Sequence, residues 1–437
     1  MRNQKKKAWI GFLAVLALGV IVLFLPPVWS RVSYYVNQLY TDLFYKINPP
    51  EEVVFNPGQS TPDDVATAVQ ATLQALAPQM TPTPQATMAP TATQKPLPAS
   101  VYLEGVEPEA QMWNNCGPST LSMNLSFWHW VGSQEDTAAV LKPNERDKNV
   151  MPYEMADFVN QNTDLRALLR MGGDLYTLKS LVSAGFPVLL EKGYDPLDRT
   201  SHDLGWMGHY NLVIGYDDTT QAFMTQDSYL LALIDDYQER MQTRGFEVTY
   251  DDMLKNWRAF NYVFIVVYPP DLENDVLNTL GPLADETNSY RVAYDRAVAE
   301  TTLLTDPRDN YFAWFNVGTS LVKLQDYTGA ASAYDTTFAV YPTIEEARRP
   351  YRMMWYQTGP YYAYYYAGRY QDVITLATTT LDAEVEHLLE ESYHWRALAE
   401  EELGNREAAV ADLRNALRVH PGFAPSYEQL VNFGETP

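Results

Sequence analysis

Three stretches beyond residue 270 repeat one pattern of small, aromatic and proline residues, and this self-similarity restricts the architecture more than any other feature. In YFAWFNVGTSLVKLQDYTGAASAYDTTFAVYP (311–342) the pattern runs through Trp314, Gly318, Leu321, Tyr327, Ala330, Tyr334 and Pro342. ESYHWRALAEEELGNREAAVADLRNALRVHP (391–421) repeats it with Ala397, Gly404, Ala409, Leu413, Ala416 and Pro421. Between them, YYAYYYAGRYQDVITLATTTL (361–381) keeps Gly368, Tyr370 and Val373 in phase, with Pro360 expected to interrupt its first helix. Such a period belongs to paired helices stacked in a row. Small residues let the helices of a pair approach, and each pair buries its apolar face on the next. SYRVAYDRAVAETTLL (289–304) reads as a degenerate leading helix and APSYEQLVNF (424–433) as a closing one.

The pattern fits the tetratricopeptide template. That resemblance implies an all-α tetratricopeptide-repeat solenoid over 271–437, with a surface that recruits a protein partner or substrate. The tyrosines of 361–368 are expected chiefly to pack between neighbouring helices, since a repeat must bury its faces first.

The other end of the chain is different. Arg2, Lys5, Lys6 and Lys7 precede AWIGFLAVLALGVIVLFL (8–25), an uncharged run long enough to cross a hydrocarbon layer of about 30 Å as a helix. No small-x-small cleavage site follows it, so residues 1–28 read as a cytoplasmic basic end and an uncleaved transmembrane anchor. The bulk of the chain is then expected outside the cytoplasm, at the cell surface. Residues 29–100 read as an interfacial aromatic segment followed by a Pro/Thr-rich disordered tether, TPTPQATMAPTATQKPLP (81–98). The formal charge of −24 excludes a polyanionic partner, because nucleic-acid binding needs a basic footprint.

Residues 101–270 mix the two periodicities and read as one α+β domain. CGPSTLSMNLSFWHW opens a helix with Pro118 in its first turn. LRALLRM, FPVLLEKGY, GHYNLVIGY, AFMTQ and YVFIVVYPP have the length and composition of strands. DLYTLKSLVSA and YDDMLKNWRAF read as helices.

This domain holds Cys116, the single cysteine of the 437-residue chain. A lone thiol in an exported protein points to intermolecular pairing or to reactivity. Placed at a helix N-terminus, it gains thiolate character from the dipole. Among the six histidines, His129 lies about 20 Å along the same helix, and His387, His394 and His420 fall in the repeats. His209 and His202 remain as bases, with His202 in a loop (195–208) expected to border the substrate cleft and Trp206 as its wall. If 209–216 and 222–227 pair as a hairpin, His209 faces Asp227, which would orient the imidazole. The Gln111 side chain can join the Cys116 backbone N–H as an oxyanion donor; Asn115 is the alternative, though it more naturally caps the helix.

QMWNNCGPSTLSM, GHYNLVIGYDD and TQDSY together resemble the papain-like cysteine peptidases of the bacteriocin-processing, double-glycine group, over about residues 100–270. The resemblance implies a papain-like fold and assigns nucleophile, base, orienter and oxyanion donor to Cys116, His209, Asp227 and Gln111. Gln111 stands five residues before Cys116, where papain-type enzymes have six. The expected activity is that of a membrane-anchored cysteine peptidase acting on a peptide or protein, with no metal or organic cofactor. A peptide-binding scaffold with an inert papain-like domain, or a papain-like cell-wall amidase, are the alternatives. His387, Glu390, Glu391 and His394 share one helical face, a pattern more often a solvated surface than a metal grip.

Overall fold

A computed structural model describes residues 55–58 and 96–437, apart from 148, 197–204, 235 and 385, together with positions 32, 36, 39, 40 and 43 of a helix. The apolar run 8–25 and His202 lie outside these residues. Among the described residues no helix is long and apolar enough to cross a membrane.

Residues up to about 270 build a seven-stranded sheet from β1 (Ser100–Tyr102), β2 (Arg166–Arg170), β3 (Val188–Tyr194), β4 (Met207–Asp217), β5 (Ala222–Gln226), β6 (Phe246–Thr249) and β7 (Phe264–Tyr268). The order is β2-β7-β3-β4-β5-β6, with β1 on the far part of β4 and every pairing antiparallel. The helices here are α1 (Cys116–Phe127), α2 (Gln134–Leu141), α3 (Pro152–Asn162), α4 (Leu175–Ser183), α5 (Ser228–Leu233), α6 (Tyr237–Gln242) and α7 (Tyr250–Trp257). The central strands β3, β4 and β7 are buried on both faces, which explains their nearly unbroken apolar runs. Leu189, Leu212 and Ile265 pack towards α1 and α3, while Val188, Leu190, Val213 and Phe264 pack towards α4 and α7. The α+β expectation therefore holds. The short helices α2, α3, α5 and α6 and strand β6 add to the elements read from the sequence.

From Glu273 the chain is helical: α8 (Glu273–Leu280), α9 (Glu286–Leu303), α10 (Pro307–Lys323), α11 (Tyr327–Val340), α12 (Met353–Tyr356), α13 (Gly359–Tyr366), α14 (Tyr370–Ala383), α15 (Glu390–Glu402), α16 (Arg406–Val419) and α17 (Ala424–Asn432). Consecutive helices pack on one another, α10 on α11 and α15 on α16 most extensively. Gly318 shows why small residues recur here: a Cβ at that position would come 2.6 Å from the Tyr334 ring of the paired helix. Pro360 does not interrupt a helix. It opens α13, where its missing N–H costs nothing. Tyr361 and Tyr364 are fully buried between helices, whereas Tyr362 and Tyr366 face solvent.

Two expectations about boundaries change. Architecture switches near 270, but the core does not. Trp206, Phe260 and Val263 share one apolar cluster with Phe312, Phe315 and Met353. Arg352 Nη1 donates to the Trp206 carbonyl (2.9 Å), and Gln357 Nε2 to that of Ala259 (2.8 Å). Trp206 is 2% exposed, so it is a junction residue and not the wall of an open cleft. Nor is the segment 29–100 detached throughout. Phe55 is buried between Phe338 and Tyr364, and the Gly58 N–H donates to Asp372 Oδ1 at 2.8 Å.

Candidate active site

Cys116 is the first residue of α1, half-buried, behind a sharp turn. Asn114 takes the left-handed conformation (φ 49°) that asparagine tolerates better than most residues, and this swings the chain into the helix. Asn115 occupies the cap position without capping. Its side-chain amide instead donates to Gln134 Oε1 at 2.8 Å, and the same oxygen accepts the Met112 N–H at 2.6 Å. The loop before the cysteine is thus held from α2. Lys142 holds it too, its ammonium donating to the carbonyls of Trp113 (3.2 Å) and Asn114 (3.0 Å).

His209 lies near the start of β4, 4% exposed, on the strand against which α1 packs, and it and the Cys116 thiol influence each other's charge. Its Nε2 is 2.9 Å from Asp227 Oδ1, which leaves Nδ1 for the sulfur. Asp227 is just past the end of β5 and is the N-cap of α5, where Oδ1 also accepts the N–H groups of Tyr229 and Leu230. Its other oxygen accepts from Asn211 Nδ2 at 2.9 Å.

The hairpin register differs from the expected one. The hairpin closes by pairing Asp217 with Ala222, which alone would set Asp227 opposite Leu212, and a bulge between Val213 and Gly215 shifts the pairing by one residue, so Asp227 comes level with Asn211 and not with His209. His209 lies two residues from Asn211 on the same face, and the Asp227 carboxylate spans both.

The electrostatics follow from this burial. For Cys116, burial pushes the thiol up, but the His209 hydrogen bond and charge, the Tyr210 N–H and Lys142 together bring it below its ordinary value. For His209, burial works against the imidazolium. Asp227, by charge and hydrogen bond, and Cys116 outweigh it and raise the pKa to about 9. Burial likewise pushes Asp227 up, and His209, Lys192 and the Leu230 N–H pull it down to about 2. All three shifts favour the charged forms: thiolate, imidazolium and carboxylate.

Gln111 sits beside this chain of bonds. Its N–H donates to the Ser228 carbonyl (3.0 Å) and its Oε1 accepts the Ser228 hydroxyl (2.9 Å), which leaves the amide NH2 as the donating end. All four residues singled out in the sequence thus gather at the junction of α1, β4 and α5. His129 lies beyond the C-terminal end of α1, away from the sulfur.

Residues that the sequence reading missed are Lys142, Asn211, Lys192 and Glu191. Asn211 was legible, being two residues from His209 on one strand face. The lysines gave no local signal. Glu191, opposite Tyr210 on β3, is 3% exposed, and burial, with the Cys116 charge adding to it, holds its carboxyl well above the usual range.

His387, Glu390, Glu391 and His394 do not share one helical face: His387 is exposed and precedes α15, and the others form no single cluster. His394 is buried and its Nδ1 pairs with Ser426 (3.0 Å), while Glu390 Oε1 pairs with His420 Nδ1 (3.0 Å). Asp147, Glu390 and His420 do bring possible ligand atoms within 4.8 Å of one another.

Residues 103–264 match the profile of the Peptidase_C39 like family. No curated protein matches the chain. One solved structure does, that of a protein described as a C39-like peptidase from Bacillus anthracis. It is 17% identical, covers 38% of this chain and 96% of its own, and has a TM-score of 0.30.

Proposed function

We propose that the chain is a cysteine peptidase in which Cys116 is the nucleophile. The observation that carries the reading is the His209–Asp227 hydrogen bond set beside Cys116 at the N-terminus of α1, within the region that matches a peptidase family. The thiolate adds to the scissile carbonyl carbon, forming a C–S bond. The Cys116 N–H, one of the unpaired donors of a helix N-terminus, and the Gln111 amide receive the oxyanion. His209 gives its proton to the departing amine as the C–N bond breaks, leaving a thioester. Neutral His209 then takes a proton from water as it attacks, the C–S bond breaks, and acid is released with the thiolate restored. Asp227 keeps the ring oriented through both steps, as the third member of such a set does.

The helical region is a tetratricopeptide-type stack that recruits a protein partner or substrate. The close Gly318–Tyr334 packing and the repeated motif support it. The run 8–25, with its basic flank, anchors the chain so that the peptidase works outside the cytoplasm.

The test is turnover of a diverse peptide library by the full chain, with Cys116→Ala and His209→Ala as controls. Cleavage abolished by either substitution is the expected result. Absence of turnover in a chain whose thiol is reactive would count for a binding module instead.

A further inference from the structure

We propose that Lys192 is a positioning residue of this site: its ammonium shares the Asp227 carboxylate with the His209 imidazole, keeping Asp227 ionised and its charge from resting on His209 alone. Lys192 stands directly across from His209 in the β3–β4 ladder. It is 4% exposed, unusual for a lysine. Its Nζ lies 3.9 Å from Asp227 Oδ2 and 5.3 Å from the centre of the Tyr194 ring, which itself stacks on His209 with centroids 5.4 Å apart. The ammonium and the imidazole thus share one aromatic neighbour and address one carboxylate.

Charge balance gives this arrangement a purpose. A thiolate, an imidazolium and a carboxylate carry one net negative charge in a largely buried site, which is costly. Lys192 opposes it at the carboxylate end, as Lys142 does beside the sulfur. Burial lowers its own pKa and Asp227 works the other way. The groups facing His209 are Cys116 from α1, Lys192 and Tyr194 from β3, Asp227 at the end of β5 and Tyr229 from α5. Beyond the sulfur lie Lys142, Glu191 and Tyr356. Of these, only Lys192 places a cation against the Asp227 carboxylate besides His209.

The inference rests on the peptidase reading only for the reaction it serves; its test reads the thiol. Cys116 is the sole cysteine, so iodoacetamide alkylation of the full chain from about pH 5 to about pH 11, read as the mass of the peptide that holds Cys116, reports this site. The rate should rise once as the ion pair forms and again as His209 loses its proton. A cation near His209 disfavours the imidazolium, so Lys192→Met should move the second step up by roughly one pH unit, and Lys192→Arg should leave it in place. Lys192→Gln, which keeps a donor without the charge, is measured in parallel in case the Met variant does not fold. An unmoved second step in the uncharged variants, or an equal shift in Lys192→Arg, overturns the proposal. The expected shift in a chain that cuts no peptide upholds Lys192 while sinking the peptidase reading.

Discussion

Gly208, the residue before His209, lies directly against Tyr356 of the helical region. A Cβ on Gly208 would come 2.9 Å from Tyr356 Cδ1 and 2.8 Å from Phe260 Cζ. The helical region thus packs on the strand that carries the proposed base, and only a glycine leaves space for it. Gly208→Ala should destabilise the protein by about 1–3 kcal/mol through overpacking, measured by urea denaturation. Tyr356→Ala in the same chain should recover part of that loss, because it removes the ring the methyl meets.

Removing residues 271–437 should not yield a soluble α+β domain. It would strip Phe312, Phe315 and Met353 from Trp206, Phe260 and Val263, exposing a large contiguous apolar face. Aggregation of the truncated chain on size-exclusion chromatography is the expected outcome. A monodisperse, folded 96–270 fragment would show that the shared core is dispensable.

His209→Ala should return the Cys116 thiol towards the ordinary range, since the imidazolium is its main support against burial. Alkylation near pH 6 should then fall by roughly ten-fold or more. An unchanged rate would mean the two groups do not communicate.

Peptide turnover should be lost on the alkaline side as His209 deprotonates near about 9, well above a free imidazole. The sign for stability is the same. A group whose pKa is raised on folding stabilises the native state fully below its unfolded value of roughly 6.5, and that contribution fades as the pH climbs through about 9. A pH–rate profile of turnover, set beside thermal melts across the same range, checks both.

Lys142→Met should raise the thiol pKa, by less than His209→Ala does, because its ammonium sits on the carbonyls of residues 113 and 114 immediately before the sulfur. Lys142→Arg should retain most of the effect. The alkylation profile of each variant reads this directly.

Much of the molecule was legible because its signals are local. Cys116 announces itself as the single thiol after two asparagines and before a proline, and α1 follows from that punctuation. The strand runs around Leu189, Leu212 and Ile265 and the spacing of Gly318, Tyr334 and Pro342 likewise need only neighbours along the chain. The register of β4 and β5 did not follow, since neither the pair at which the turn closes, Asp217 with Ala222, nor the bulge after Val213 leaves a mark in the residue types. The burial of Lys142 and Lys192, and the fusion of Trp206 with Phe312, depend on segments distant in sequence arriving at one place. By itself the sequence determined which groups are candidates for the chemistry and which elements bear them, because propensity and periodicity act over a few residues. Only the tertiary structure decided which charges face one another and where one core ends, because electrostatics and packing act through space.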